Sequence, residues 1–213
     1  AKFRWMYNDR VRTPMVIRTP MGGGRGYGPT HSQSLEKMFC GVPGLVTVAI
    51  SRRHDPGELL RRAVVEDDRP VLFIEQKTLY GRTLQSDAPA GMTFELHSTE
   101  EASLYPTGVW RPLGADPDVT VVAYGAMTDV AEEAIAGSFD EDEIVSEYIV
   151  PSQLAPLRLD PIVDSVRRTG RLLVVEEGTV PWGFGAELTA RVSEVLETPP
   201  RLARVGAFSL PVP

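Results

Sequence analysis

One cysteine, Cys40, is all the thiol chemistry this chain has. A lone thiol forms no disulfide within the chain and no CxxC-type zinc site. Histidine is scarce too. There are three, His31, His54 and His97, so any imidazole chemistry rests on one of these positions. No apolar run approaches the roughly 20 residues of a membrane-spanning helix, and no signal-like start is present. Basic residues are in deficit. Lys and Arg number 22 against 29 Asp and Glu, a net charge of −7, which argues against nucleic acid as the main partner. A soluble, cytoplasmic protein is expected, with no membrane partner.

What is present is ordinary globular material. At 213 residues and 42% hydrophobic, the chain is long enough for one large domain or two small ones. The charge is uneven: residues 1–57 carry +6 and the remainder −13. A basic amino-terminal part suits anions or a partner surface. Ala1 opens directly into Phe3, Trp5 and Tyr7, three aromatics that read as the last turns of a helix begun earlier. Both ends read as cuts in something longer.

Residues 14–19 read as a short strand ending at Pro20. Five glycines in the seven residues 22–28 form a shaped loop, because glycine permits positive φ and close backbone approach. Thr30-His31-Ser32-Gln33 fits a capping box, which predicts a helix from Thr30 to Cys40 with His31 in its first turn. Residues 45–50 form a continuous apolar run and read as a buried strand. Asp55-Pro56 caps and opens a helix whose apolar stripe is Leu59, Leu60, Ala63 and Val64. Residues 71–75 are the next buried strand. From Thr83 to Pro117 periodicity fades and a linker is expected, with a strand near 108–112. Strands at 119–124, 143–150, 171–176 and 201–205 then alternate with helices near 129–136, 161–169 and 183–196. Strand–helix alternation with short links predicts an α/β fold with parallel sheets.

Three constellations invite chemistry. A histidine at a helix start would feel the positive end of the dipole, and a neutral imidazole can accept or donate a proton. The segment Gly22–Gly28, with Arg25, suits an anion but matches neither phosphate-loop fingerprint. Glu176-Glu177 ends a strand, where α/β folds place ligands. Adjacent strand residues point to opposite faces, so the two carboxylates are not expected to serve one site. His54 and His97 have no nameable partners.

The segments Val16–Gly24, Thr30–Glu36, Pro43–Val48, Asp67–Glu75, Leu79–Gly81, Val119–Gly125 and Arg168–Gly178 closely resemble one family, in collinear order over nearly the whole chain. It is the β subunit of the thiamine-diphosphate-dependent decarboxylating component of 2-oxo acid dehydrogenases of pyruvate, branched-chain or acetoin type. The resemblance implies the carboxyl-terminal half of a transketolase-type pyrimidine-binding domain over 1–82, a linker over 83–107 and a transketolase C-terminal α/β domain over 108–213. It implies thiamine diphosphate with Mg²⁺, shared with an α-type subunit that holds the diphosphate, and a second copy of this chain in an α2β2-like assembly. A lipoyl domain, the acyltransferase core and a 2-oxo acid complete the partners. His31 matches the family's channel histidine, which orients or protonates during acyl transfer to the lipoyl arm. The aminopyrimidine-activating glutamate and the stacking aromatic have no match in 1–213, so the chain alone is expected to be inactive. The family's structural K⁺, held by main-chain carbonyls, maps to Thr13, Met15, Val16, Val64, Asp67 and Arg69. Residues 149–157 depart from the usual segment and leave the 2-oxo acid open. The competing readings are a transketolase or deoxyxylulose-phosphate-synthase-like part and a non-catalytic assembly domain.

Overall fold

The computed structural model describes residues 1–85, 87–89, 91–97 and 104–211, and side chains of all of these except 94–97. The first half begins with a short helix, α1 (Lys2–Met6), none of whose residues is buried. Strands β1 (Met15–Met21), β2 (Val46–Ala49) and β3 (Pro70–Gln76) follow, with α2 (Lys37–Cys40) and α3 (Pro56–Val65) between them. β3 lies between β1 and β2 and is parallel to both. The unbroken apolar runs explain this, because a strand buried on both faces has no polar face to alternate with. Val46, Val48, Val71 and Phe73 face Leu59 and Ala63 of α3, while Ala49, Leu72 and Ile74 face the other way. Asp55 caps α3 as expected, accepting from the N–H of Gly57 at 2.8 Å and of Glu58 at 3.2 Å. Val64, expected on the apolar stripe, is exposed.

The second half forms a six-stranded sheet. β4 (Met92–His97), β5 (Thr107–Pro112), β6 (Val119–Ala123), β7 (Ser146–Pro151), β9 (Arg171–Thr179) and β10 (Arg201–Ala207) lie in the order β10-β9-β6-β7-β5-β4. The first four in that order are parallel, and β5 and β4 add antiparallel edges. Period-two alternation sorts its helices. Val122, Leu172 and Val174 pack on α5 (Asp160–Thr169) and α6 (Phe184–Val195). Val121, Ala123 and Val175 pack toward Ala131 of α4 (Met127–Asp142).

Three departures from the sequence reading have physical causes. β1 runs through Pro20 instead of stopping there, because β1 is the edge of its sheet and the missing N–H leaves a solvent side, not a ladder bond. A strand, β4, occupies part of the segment read as a linker; positions 86, 90 and 98–103 of that segment lie outside the described residues. A three-residue strand, β8 (Gln153–Ala155), leaves the second half to pair antiparallel with β2. β8 explains why Ala49, Leu72 and Ile74 share one buried cluster with Val109, Val122 and Leu154: the two sheets close on a common core. Among the described residues no helix is long and apolar enough to cross a membrane.

Candidate active site

The glycine segment and the turn after it make a closed loop over residues 22–34. Gly22 donates its N–H to the carbonyl of Gln33 at 3.0 Å, which joins the two ends of the loop. Gly22, Gly24, Gly26 and Gly28 all have positive φ, between 67° and 91°. Four left-handed positions so close together would strain any other residue, and they are what let seven residues fold back on themselves.

His31 stands at the turn of this loop, exposed, with its N–H on the carbonyl of Gly28 at 3.4 Å. The predicted helix from Thr30 to Cys40 is absent; only Lys37–Cys40 is helical. The side chains expected to cap or line that helix are used elsewhere. Gln33 donates its amide to the carbonyl of Pro29 at 3.0 Å. The Ser34 hydroxyl donates to Glu177 at 2.6 Å, and the Glu36 carboxylate accepts from Tyr124 at 2.6 Å. Tertiary hydrogen bonds hold Ser34 and Glu36 outside a regular helix, and the dipole argument for His31 has no helix to act through. Lys77, which follows β3, completes the site and carried no sequence signal. Its ammonium donates to the His31 carbonyl and lies 5.7 Å from the Tyr27 ring centroid. Its own carbonyl accepts from Arg25 Nη2 at 3.0 Å. Arg25, the cation of the anion-cradle reading, is therefore directed at the protein.

Three carboxylates, Glu177, Glu176 and Glu36, lie below and beside the loop. Glu177 takes the Gly23 N–H on Oε1 at 2.9 Å, and the Ser34 hydroxyl and Gln76 amide on Oε2, both at 2.6 Å. Glu176, next to it on β9, points to the opposite face as the strand geometry predicts. Its Oε1 accepts from the Gly185 N–H at 3.1 Å, at the start of α6. Burial raises its pKa to about 7 against those helical N–H groups, and the nearby Glu36 charge adds to the rise. Burial also pushes Glu36 up, opposed by the Tyr124 hydrogen bond. Glu36 gave no sign in the sequence of being a buried acid.

Glu177 and Glu36 make their hydrogen bonds across the seam between the halves, and Glu176 bonds the start of α6 within the second half. No three His, Cys, Asp or Glu side chains gather as a metal site among the described residues. The residues here do not fit a diphosphate-bound Mg²⁺. Of the positions named for K⁺, most lie on or beside β1, β3 and the end of α3. β1–β3 pairing sets Met15 beside Pro70 and Val16 beside Val71, and Thr13 and Arg69 line one cavity of about 360 Å³. Val64 is near the end of α3, whose helix packs on β1. Arg69 is bidentate on the buried Asp67 carboxylate, 2.8 Å at both contacts, so its charge is locally neutralised. Main-chain oxygens there suit a hard cation. His54 is buried with Nδ1 3.2 Å from the Ser51 hydroxyl, and burial lowers its pKa to about 4. The backbone of His97 pairs with Thr107.

Comparison with known proteins gives a consistent picture. Family models match twice: the transketolase pyrimidine binding domain over residues 1–83 and the transketolase C-terminal domain over 108–213. The chain is 38% identical over 224 aligned positions to the 2-oxoisovalerate dehydrogenase subunit beta of Pseudomonas aeruginosa, covering 100% of this chain and 61% of that one. It is 35% identical over 194 positions to the acetoin:2,6-dichlorophenolindophenol oxidoreductase subunit beta of Cupriavidus necator, covering 91% and 53%. The chain thus spans between half and about three fifths of these relatives' length. A solved split-gene transketolase, an inactive β4 tetramer, shares the fold at a TM-score of 0.65 and 20% identity, over 93% of this chain and 59% of that one.

Proposed function

The chain belongs to the transketolase-type family, among the relatives of 2-oxo acid dehydrogenase β subunits, and on that premise we propose that it acts as a β-type component. With an α-type partner it would decarboxylate a 2-oxo acid and pass the acyl group to a lipoyl carrier. The observation that carries this reading is the placement of His31, exposed at the turn of a loop whose closed form is held from the second half of the chain. We assign residues 1–82 to the pyrimidine-binding side and 108–213 to the C-terminal domain, with 83–107 as a linker that also lends β4 to the second sheet.

Thiamine diphosphate would supply the nucleophilic carbon that takes up the 2-oxo acid. This chain's contribution is different. An exposed imidazole can hold a hydrogen bond to the acyl acceptor or exchange a proton with its sulfur. Lys77 fixes the backbone at His31 through its carbonyl, leaving the ring free. The diphosphate and Mg²⁺ belong to the α-type chain in this reading, since the carboxylates here accept hydrogen bonds from the chain's own donors. K⁺ is assigned to the carbonyls of Thr13, Met15, Val16, Val64, Asp67 and Arg69, where it would tie α3 to β1 and β3.

Calorimetry tests the assembly. Thiamine diphosphate with Mg²⁺ is expected to give no heat of binding with this chain alone and stoichiometric binding when the α-type chain is present. Tight binding to the isolated chain would overturn the division of labour. The same chain, unfolded thermally in KCl and then in NaCl at equal ionic strength, should be more stable in K⁺. A ligand at a hundredfold excess over its Kd stabilises by roughly 2.7 kcal/mol. Identical midpoints in the two salts would remove the K⁺ assignment.

A further inference from the structure

The loop that carries His31 is fastened at two places. Near its tip, Lys77 holds the His31 carbonyl and accepts from Arg25. At its neck, one carboxylate does most of the work. Glu177 accepts from the Gly23 N–H at the start of the loop and from the Ser34 hydroxyl at its end, at 2.9 and 2.6 Å. The same oxygen that meets Ser34 also meets the Gln76 amide at the end of β3, at 2.6 Å. The Gln76 carbonyl oxygen accepts in turn from the N–H of Ala126, in the turn after β6. One side chain on β9 thus joins both ends of the loop to β3 and, through Gln76, to the second sheet. The fit is close. A Cβ on Gly22 would lie 2.8 Å from Glu177 Oε2 and 3.0 Å from Oε1, and Gly22 has φ +91°. Only glycine at that position lets the carboxylate reach the neck.

We infer that Glu177 is a positioning residue: it holds the loop closed so that His31 is presented in one place. This rests on the acyl-transfer reading of His31. Glu177 touches no reacting atom; it acts through the Gly23 and Ser34 bonds alone. A carboxylate that accepts from three donors at once is suited to that task, because charge-assisted hydrogen bonds are about twice as strong as neutral ones. Glu177→Gln replaces one acceptor oxygen with an NH2 group. That group then meets the Gln76 amide or the Gly23 N–H, donor against donor.

Two readouts are made on the assembled enzyme. The first is loop opening, from amide hydrogen exchange over 23–34 and from the rate of tryptic cleavage after Arg25. Losing a charge-assisted neck bond should raise opening by about tenfold to a hundredfold. The second is a cycle of Glu177→Gln, His31→Ala and the double variant, assayed for acyl transfer to a lipoyl domain. The expected double variant is no slower than His31→Ala, because Glu177 acts only through that residue. Ser34→Ala removes one neck bond without touching β9. It should open the loop by a smaller factor, and it keeps the test open if Glu177→Gln folds poorly. Unchanged exchange and cleavage in both variants would overturn the clamp. An open loop with acyl transfer intact, while His31→Ala is slow, would overturn positioning. Additive losses in the double variant would do the same. An inactive Glu177→Gln beside a fully active His31→Ala would overturn the His31 reading while the exchange data still stand for the clamp.

Discussion

Replacing His31 with alanine in the assembled enzyme is expected to lower acyl transfer to a lipoyl domain by about 10²–10⁴-fold, the contribution of a well-placed acid or base. The decarboxylation half-reaction, followed with an artificial electron acceptor, should fall much less. The difference follows from where His31 sits. It stands on an exposed loop turn, and its structural bonds run through its backbone: its N–H to Gly28 and its carbonyl to Lys77. Alanine keeps both bonds, so stability should hardly change. What is lost is the exposed imidazole that the proposal places before the acyl acceptor. Equal losses in both half-reactions would move His31 to the cofactor step. No loss in either would leave it a surface residue of a shaped loop.

Glu176→Gln should stabilise the protein at pH 8 and do little at pH 4. Glu176 is 2% exposed, its Oε2 has no hydrogen-bond partner among the described residues, and its pKa is raised to about 7 from 4.5. A raised carboxyl pKa means that the folded state holds the proton more tightly. That stability is full below pH 4.5 and is lost as pH rises through 7. At 1.36 kcal/mol per unit, the loss at pH 8 is roughly 3 kcal/mol at most. Glutamine is neutral at every pH and keeps an acceptor for the Gly185 N–H. His54 acts with the opposite sign. Its pKa is lowered to about 4 from 6.5 by burial, so its contribution is lost as pH falls from 6.5 toward 4. Between pH 4.5 and 6.5 the two slopes oppose each other in the unmodified protein. In Glu176→Gln the largest opposing slope is gone and only the smaller one of Glu36 remains, so stability should fall less, or rise, with pH across that window. Denaturant unfolding at pH 5, 6.5 and 8 measures this. A variant less stable than the parent at pH 8 would contradict the argument.

Local rules explain how much of this was legible beforehand. The apolar runs 45–50 and 71–75 became β2 and β3, and the Asp55-Pro56 pair opened α3, because burial on both faces and helix capping leave marks within a few residues. Strand alternation correctly separated Glu176 from Glu177. The helix predicted from Thr30 failed where partners distant in sequence took over: Ser34 bonds Glu177 and Glu36 bonds Tyr124, 143 and 88 residues away. No window of sequence holds such bonds. The same holds for β8, whose three residues have meaning only beside β2, and for Lys77, whose role is set by where the loop folds. The glycines signalled that the loop exists; Glu177 shows what closes it.

If this chain completes an acyl-transferring enzyme, the mass of a lipoyl domain will show it. This chain, an α-type subunit, thiamine diphosphate, Mg²⁺, a lipoyl domain and a panel of pyruvate, branched-chain 2-oxo acids and acetoin are mixed, and the lipoyl domain is weighed by mass spectrometry. An acyl adduct is expected from at least one donor, formed only when both chains are present and lost to the same degree as activity in His31→Ala. An adduct formed without this chain, or none from any donor with both chains bound together, would contradict it.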